Sequence, residues 1–340
     1  MQTTLIADYA LLMKGTWPAA VFDEEYRPAT LPLRLTADYE NIIRTPSNLV
    51  ASMAQHKFGG SWTEKKLQKL GAYLQRYKQA LKKQPFRKIY VDAFAGTGYR
   101  SIVELENQPS FGFADFSELA KGSAVVALEG DPPFDSYVLI EKNRRRFEEL
   151  RQLASQFPTK RDSISFIKAD ANMALRELCS TIDWKRNRAV LFLDPYGMQV
   201  EWETLVAIAG TQAIDTWILF PVGMGVARLL TKDGKMQPNF EVALDRIFGE
   251  TNWREAFYSP LPPAQDLFGE ATSSVARTAD PARIEAYFVE RLRSIFSGVA
   301  PKGLPLRNSK GALMYLLCFA CGNPKGAPIA LKIANHLLKP

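Results

Sequence analysis

Five apolar runs recur along the chain: KIYVDAF at 88–94, SYVLIE at 136–141, ISFIKAD at 164–170, AVLFLD at 189–194 and DTWILFPVG at 215–223. Segments of helical period separate them. Runs this short and this continuously apolar fit strands buried on both faces; a sheet with one wet face would alternate. Strand, helix and strand in turn predict a parallel sheet between two helical layers. Two more runs, GVAPKGLPLRN (298–308) and ALMYLLCFAC (312–321), are joined only by SKG. Neighbours joined so tightly must be antiparallel, because a parallel return needs a crossover of about a dozen residues. The expectation is an α/β, Rossmann-like domain over 61–340, with a mostly parallel seven-stranded sheet and a C-terminal antiparallel hairpin. Pro18, Pro28, Pro32 and Pro46 punctuate residues 1–60, which read as an irregular N-terminal extension. The polar stretch 101–117 reads as a loop.

Between these landmarks the helices follow their own signals. SWTE at 61–64 is a capping box, with Leu67, Leu70, Leu74, Tyr77 and Leu81 on one stripe and Pro85 as the stop. Further helices are expected from Gly122, over 142–157, from Asn172 to Ile182, near 201–209, near 282–296 and over 327–338. The net charge of +7 is concentrated: nine bases and one acid lie between Glu64 and Lys88, those within the first helix on what the stripe leaves as its outer faces. Charge alone leaves a polyanion-binding surface and a merely solvated face equally open. On the first reading, Lys65, Lys66, Lys69, Arg76, Arg144 and Arg145 are the candidate nucleic-acid contacts.

Composition excludes several classes. Hydrophobic content of 46% with 23% charge is that of an ordinary soluble protein. The longest apolar run is about half of the ~20 residues that cross a bilayer, and the N-terminus lacks a signal peptide's basic region. Three cysteines argue for a reducing compartment, and a cytoplasmic location is expected. Cys318 and Cys321 form a C-x-x-C, but only His56 and His336 accompany them, so no metal site is expected.

Ligands of open α/β sheets bind beyond the carboxyl ends of the strands. Four successive runs end in acids there: Asp92, Glu141, Asp170 and Asp194. Glu141 suits ribose hydroxyls and Asp170 an amino group, since carboxylates accept hydrogen bonds. After Asp92 comes A-F-A-G-T-G, in which Gly96 and Gly98 let backbone approach a ligand closely. Tyr99 and Arg100 follow, so the third glycine of the dinucleotide fingerprint is missing, and no P-loop pattern exists.

DAFAGTG resembles motif I of nucleic-acid methyltransferases, whose fold is the class I S-adenosylmethionine (AdoMet)-dependent one. By that resemblance Asp92, Phe94, Gly96, Gly98, Glu141 and Asp170 hold AdoMet. LDPYG resembles the [DNS]-P-P-[YFW] motif of amino-methyltransferases with one proline in place of two, which makes Asp194, Pro195 and Tyr196 the catalytic candidates. SWTEKKL, VDAFAGTG, FLDPYGMQVEWETL and AIDTWILFPVG together are similar to the three-Cys-motif partner (TcmP) family over about 60–320. The TcmP resemblance implies a methyltransferase-like domain and a three-cysteine-motif protein of the iron–sulfur type as partner, and it implies no substrate; nucleic acid as a partner is expected from the two motif resemblances and the basic charge. Three functions are weighed: methylation of an exocyclic amine in nucleic acid, a partner-dependent AdoMet-binding subunit without chemistry of its own, and methylation of a protein. Cytosine-C5 chemistry is excluded, because it needs a Pro-Cys nucleophile and the chain has none.

Overall fold

The computed structural model describes residues 61–101, 119–262, 264–265, 271–272 and 274–339. The expected N-terminal extension and the loop at 102–117 lie outside them. Helix α1 (Ser61–Ala80) buries Leu67, Leu70, Leu74 and Tyr77 as its stripe requires, and adds Tyr73. It stops at Ala80, ahead of Pro85, so Leu81 sits in the following turn. Its bases do not all face outward. Lys66 and Lys78 are 1% and 2% exposed, which corrects the expectation for both.

Strands β1 (Arg87–Asp92), β2 (Ser136–Ile140), β3 (Ile164–Ile167), β4 (Asn187–Leu193) and β5 (Ile214–Phe220) are the five apolar runs. All their pairings are parallel: β1 lies between β2 and β4, β3 flanks β2, and β5 flanks β4. The runs at 88–94, 164–170 and 215–223 each give up their last two or three residues to the turns beyond the sheet. β6 (Gly298–Val299) and β7 (Leu304–Arg307) lie end to end along one edge of β8 (Leu313–Cys321). The other edge of β8 pairs antiparallel with β5, Leu316 opposite Phe220 and Cys321 opposite Asp215. The order across the sheet is therefore β3-β2-β1-β4-β5-β8-(β6, β7). This is the Rossmann-like class I methyltransferase fold, with the expected antiparallel C-terminal hairpin. Progression across the sheet reverses between β1 and β4, so the carboxyl ends of those two strands mark the ligand crevice.

Helices α2 (Ser123–Glu129), α3 (Arg144–Arg151), α4 (Ala171–Thr181) and α5 (Trp202–Gly210) cover the parallel strands. The helix expected over 142–157 starts only at Arg144, because the Asn143 side chain caps it by accepting from the Arg146 N–H at 3.1 Å. It breaks at Gln152 before a short turn of helix at Leu153–Gln156. Tyr99–Ser101 and Leu119–Lys121, at the two ends of the stretch read as a loop, pair as an antiparallel ribbon. The stretch after β5 carries no strong period in the sequence, yet it builds a π-helical turn (Val222–Val226), helix α6 (Pro238–Phe248) and a small ribbon of Tyr258–Pro260 with Val275–Arg277. Gly223 is needed in the π turn, since a Cβ there would meet the Leu313 carbonyl oxygen at 1.8 Å. Helices α7 (Pro281–Arg293) and α8 (Ala327–Leu337) finish the chain.

One polar knot fastens α1 to the sheet. Tyr73 donates to Asp215 Oδ2 at 2.6 Å, with the Tyr73 ring edge-on to Trp217 and tilted against Phe319. Burial pushes the Asp215 carboxyl up, and hydrogen bonds from Cys321 and Tyr73 pull the other way. Cys318 and Cys321 are buried and unbridged. Three positions apart on one strand, they face opposite sides of the sheet. Among the described residues no group of three or more metal-ligating side chains exists, and no helix is long and apolar enough to cross a membrane.

Candidate functional site

Asp92 ends β1 with no solvent exposure. It accepts from the Tyr90 hydroxyl at 3.1 Å and from the Phe94 N–H at 3.3 Å. Burial pushes its pKa up to about 6; bonds from Ser123, Tyr90 and Phe94 oppose the rise and the nearby Asp194 charge adds to it. The turn beyond is held by Ala95 N–H to Ile140 O and Gly122 N–H to Gly98 O. Gly96 and Gly98 have φ of 61° and 80°, the left-handed region that side chains avoid. A Cβ on Gly98 would strike Leu153 at 2.6 Å, whereas nothing lies within 4 Å of one on Gly96. The backbone at Gly96 thus faces open space with Phe94, half-buried, beside it.

Glu141 follows β2 and is 9% exposed. Its Oε1 accepts the Asn143 N–H at 2.7 Å. Among the described residues nothing bonds its Oε2, so that oxygen keeps its capacity to accept. Asp170 is differently occupied: its Oδ1 caps α4 at the Asn172 N–H and its Oδ2 meets Lys142 at 3.1 Å. Burial raises its pKa, but those partners outweigh it and hold the carboxyl below its ordinary value. The expected amino-group acceptor is thus first a helix cap.

Asp194 follows β4, and here the structure departs most from the sequence reading. Lys66 reaches both of its oxygens, at 2.7 and 2.6 Å, with the side chains 1% and 8% exposed. The same ammonium lies 5.0 Å from the Trp62 ring centroid, and Trp62 stacks on Tyr315 at 5.4 Å. Lys66, expected on the surface against phosphate, is instead a buried partner of the proposed catalytic carboxylate. An i, i+4 register puts Trp62 and Lys66 on one face of α1, and no sequence rule pairs that face with a loop 128 residues away. Tyr196 is the opposite case, 88% exposed. Its N–H donates to Gln199 Oε1 at 3.1 Å, and Gly197 turns the chain at φ 82°. Pro195 lines a small apolar pocket with Ile218, Pro221 and Phe288.

Asn172 was missed as a site residue. It is buried, donates to Gln199 O at 2.9 Å, and accepts from the Glu201 N–H and the Thr204 hydroxyl, both at 3.0 Å. It thereby fixes the loop that carries Tyr196. The W-E-T after the loop has matching physical jobs. Thr204 is fully buried on Asn172, and the Trp202 ring is packed so closely that a Cβ on Gly249 would meet it at 2.0 Å. Arg246, on α6, donates to Met198 O at 3.1 Å, so the unpredicted segment after β5 also braces this loop.

The other basic candidates are dispersed. Lys65 and Lys69 are half-buried on α1, and Lys69 donates to Lys339 O. Arg76 lies ten residues, about 15 Å, along the helix from Lys66, with a buried Nη1 that finds no partner among the described residues. Arg144 and Arg145 are exposed at the start of α3, just past Glu141, and Arg145 pairs with Glu149 at 3.1 Å.

No protein-family model matches the chain, and no curated protein does. Solved structures do resemble it. Protein LPL1258 from Legionella pneumophila, of family-model DUF519, aligns at 13% identity over 83% of this chain and 92% of its own, with a TM-score of 0.44. A candidate S-adenosylmethionine-dependent methyltransferase from Listeria monocytogenes aligns at 11% over 74% and 98%, TM-score 0.32. The N-terminal domain of EvdMO1, solved with SAH bound, aligns at 9% over 74% and 80%, TM-score 0.32. Likenesses this distant carry nothing about activity, and the fold assignment rests on the strand order and register above.

Proposed function

We propose that the chain is an AdoMet-dependent methyltransferase that modifies an exocyclic amine in nucleic acid. One observation carries the reading: a carboxylate fixed in place and a bare aromatic ring share one loop at the switch point of the sheet. Asp194 is locked by Lys66, and two residues on Tyr196 is 88% exposed. An exocyclic amine is a weak nucleophile because its lone pair is delocalised into the ring. An acceptor drawing on its hydrogens and a stacked side chain fixing the base supply what it lacks. Glu141 Oε2 and the open backbone at Gly96 fit the ribose and the methionine portion of AdoMet. The cofactor supplies an electrophilic methyl on its sulfonium. The chain's own residues orient the amine, and Asp194 or water takes the proton that the methylated nitrogen releases.

The first experiment is calorimetric titration of AdoMet into wild type, Gly96→Val and Glu141→Ala. Binding in wild type and its loss in both folded variants is expected; no binding by wild type would end the proposal. Transfer from methyl-tritiated AdoMet into RNA, DNA and protein then names the acceptor. Label in protein with nucleic acid blank would replace this reading by protein methylation.

A second reading has an observation of its own. Lys66 bridges both Asp194 oxygens, and the loop has one proline where amino-methyltransferases have two. Both fit an AdoMet-binding subunit whose chemistry depends on a partner, as the TcmP resemblance suggests. AdoMet binding without transfer to any acceptor would favour it.

A further inference from the structure

At the end of the sheet opposite Asp92 and Asp194, two turns lie side by side. Residues 81–86 lead from α1 into β1, and 183–186 lead from α4 into β4. The Arg87 N–H donates to Arg186 O at 3.0 Å, and the parallel register sets Arg87 opposite Asn187 and Lys88 opposite Arg188. The Arg188 guanidinium lies 3.9 Å over the Phe86 ring and donates to Trp184 O at 2.6 Å, so the two turns form one rigid block. Lys82, Lys83, Arg87, Lys185 and Arg186 are exposed on it. Among the described residues none of these five has an ion-pair partner. Of the neighbouring acids, Asp135 pairs with the Lys88 ammonium at 3.1 Å, while Asp183 accepts the Lys185 N–H at 3.0 Å and offsets one of the five positive charges. The block thus carries an excess of exposed positive charge, and it gains from an external anion.

We propose that this block is a second nucleic-acid anchor, binding phosphates of the same molecule whose amine reaches Tyr196. It rests on the nucleic-acid reading above and adds a constraint on the substrate. The six residues of β1 span about 20 Å between the block and the switch point. A mononucleotide or short oligomer in the cleft does not reach both, so the substrate is a folded or long nucleic acid. Phosphate is the shared chemistry, and RNA and DNA are separated by the test.

The test uses the full chain and fluorescein-labelled probes: an RNA hairpin and a DNA hairpin of about 30 nucleotides and an RNA of about 5, followed by anisotropy across a salt series. The fourfold variant Lys82→Glu/Lys83→Glu/Arg87→Glu/Arg186→Glu is expected to bind a hairpin at least tenfold more weakly. Removing four phosphate contacts should also flatten the salt dependence of log K by about 3. The short RNA and AdoMet should bind as in wild type. Lys82→Ala/Lys83→Ala, confined to an exposed turn, provides a folded control with a smaller loss in the same direction. Unchanged hairpin affinity and slope in both variants, with wild type binding and methylating, would overturn the anchor alone. A wild type that binds AdoMet but neither hairpin would overturn the anchor together with the nucleic-acid reading, and would leave the block to an acidic protein.

Discussion

Replacing Lys66 by Met tests whether the pair it forms with Asp194 is a buried ion pair in energy as well as in geometry. The side chains are 1% and 8% exposed and the ammonium sits 2.6–2.7 Å from both carboxylate oxygens. Removing one partner of such a pair costs about 3–5 kcal/mol, because the remaining charge stays desolvated. Here the remaining charge would be Asp194, which already repels Asp92 across two neighbouring strands. For a domain of this size each kcal/mol moves Tm by about 2–4 °C, so Lys66→Met should melt roughly 10 °C lower. Asp194→Asn should cost a similar amount, because it takes from the buried ammonium the carboxylate that lies 2.6–2.7 Å from it. Lys66→Met/Asp194→Asn removes both charges, and replacing a whole buried pair is often neutral. The double variant should therefore return to within about 1 kcal/mol of wild type, giving a coupling above about 3 kcal/mol. Denaturant unfolding of the four proteins at one pH and two ionic strengths measures it. Coupling below about 1 kcal/mol, or coupling halved by salt, would place the pair in solvent and refute the reasoning.

Asp92, with its pKa raised from 3.8 to about 6 by burial, stabilises the fold as the protonated acid. That stability is fully present below pH 3.8 and lost as pH rises through 6, about 3 kcal/mol across the window, so the stability difference between wild type and Asp92→Asn should fall over that range and be flat outside it. Tyr73→Phe leaves the buried Asp215 without its 2.6 Å donor and should cost about 1–3 kcal/mol in the same unfolding assay, with no effect on AdoMet binding; an unchanged midpoint would show that Cys321 or water had replaced the bond.

The fold was legible because it is written in local, periodic signals. Each parallel strand is apolar on both faces, and the SKG link fixes the direction of β8 without any knowledge of its neighbours. The ends of elements were less legible. Asp92, Ile167 and Phe220 end their strands, and the residues beyond them belong to turns. The stretch after β5 stayed dark because its helices are short and its glycines answer to distant backbone: Gly223 to Leu313, Gly249 to Trp202. Asn172 is the sharpest instance. Read locally it is one polar residue inside a helix, and only the turn of the chain 27 to 32 residues later gives its amide three partners.

Lys66 shows why charge counting failed where apolar counting succeeded. Burying a leucine needs only that its face of the helix point inward, which the period of the helix reveals. Burying a lysine needs a particular carboxylate at a particular height, and sequence spacing holds no information about a partner on another strand. Lys66 lies on the same turn of helix as Lys65 and Lys69, yet it alone meets Asp194, because the N-terminal end of α1 stands over the carboxyl end of β4. A buried charge pair is rarely retained for stability, since apolar residues of similar volume do as well. Its presence beside the bare ring of Tyr196 is therefore better explained by what the carboxylate must do than by what the fold requires. The two readings of the chain differ on that point alone: a nucleic-acid amine must find room at an oxygen that Lys66 already holds, or a partner must draw Lys66 away first.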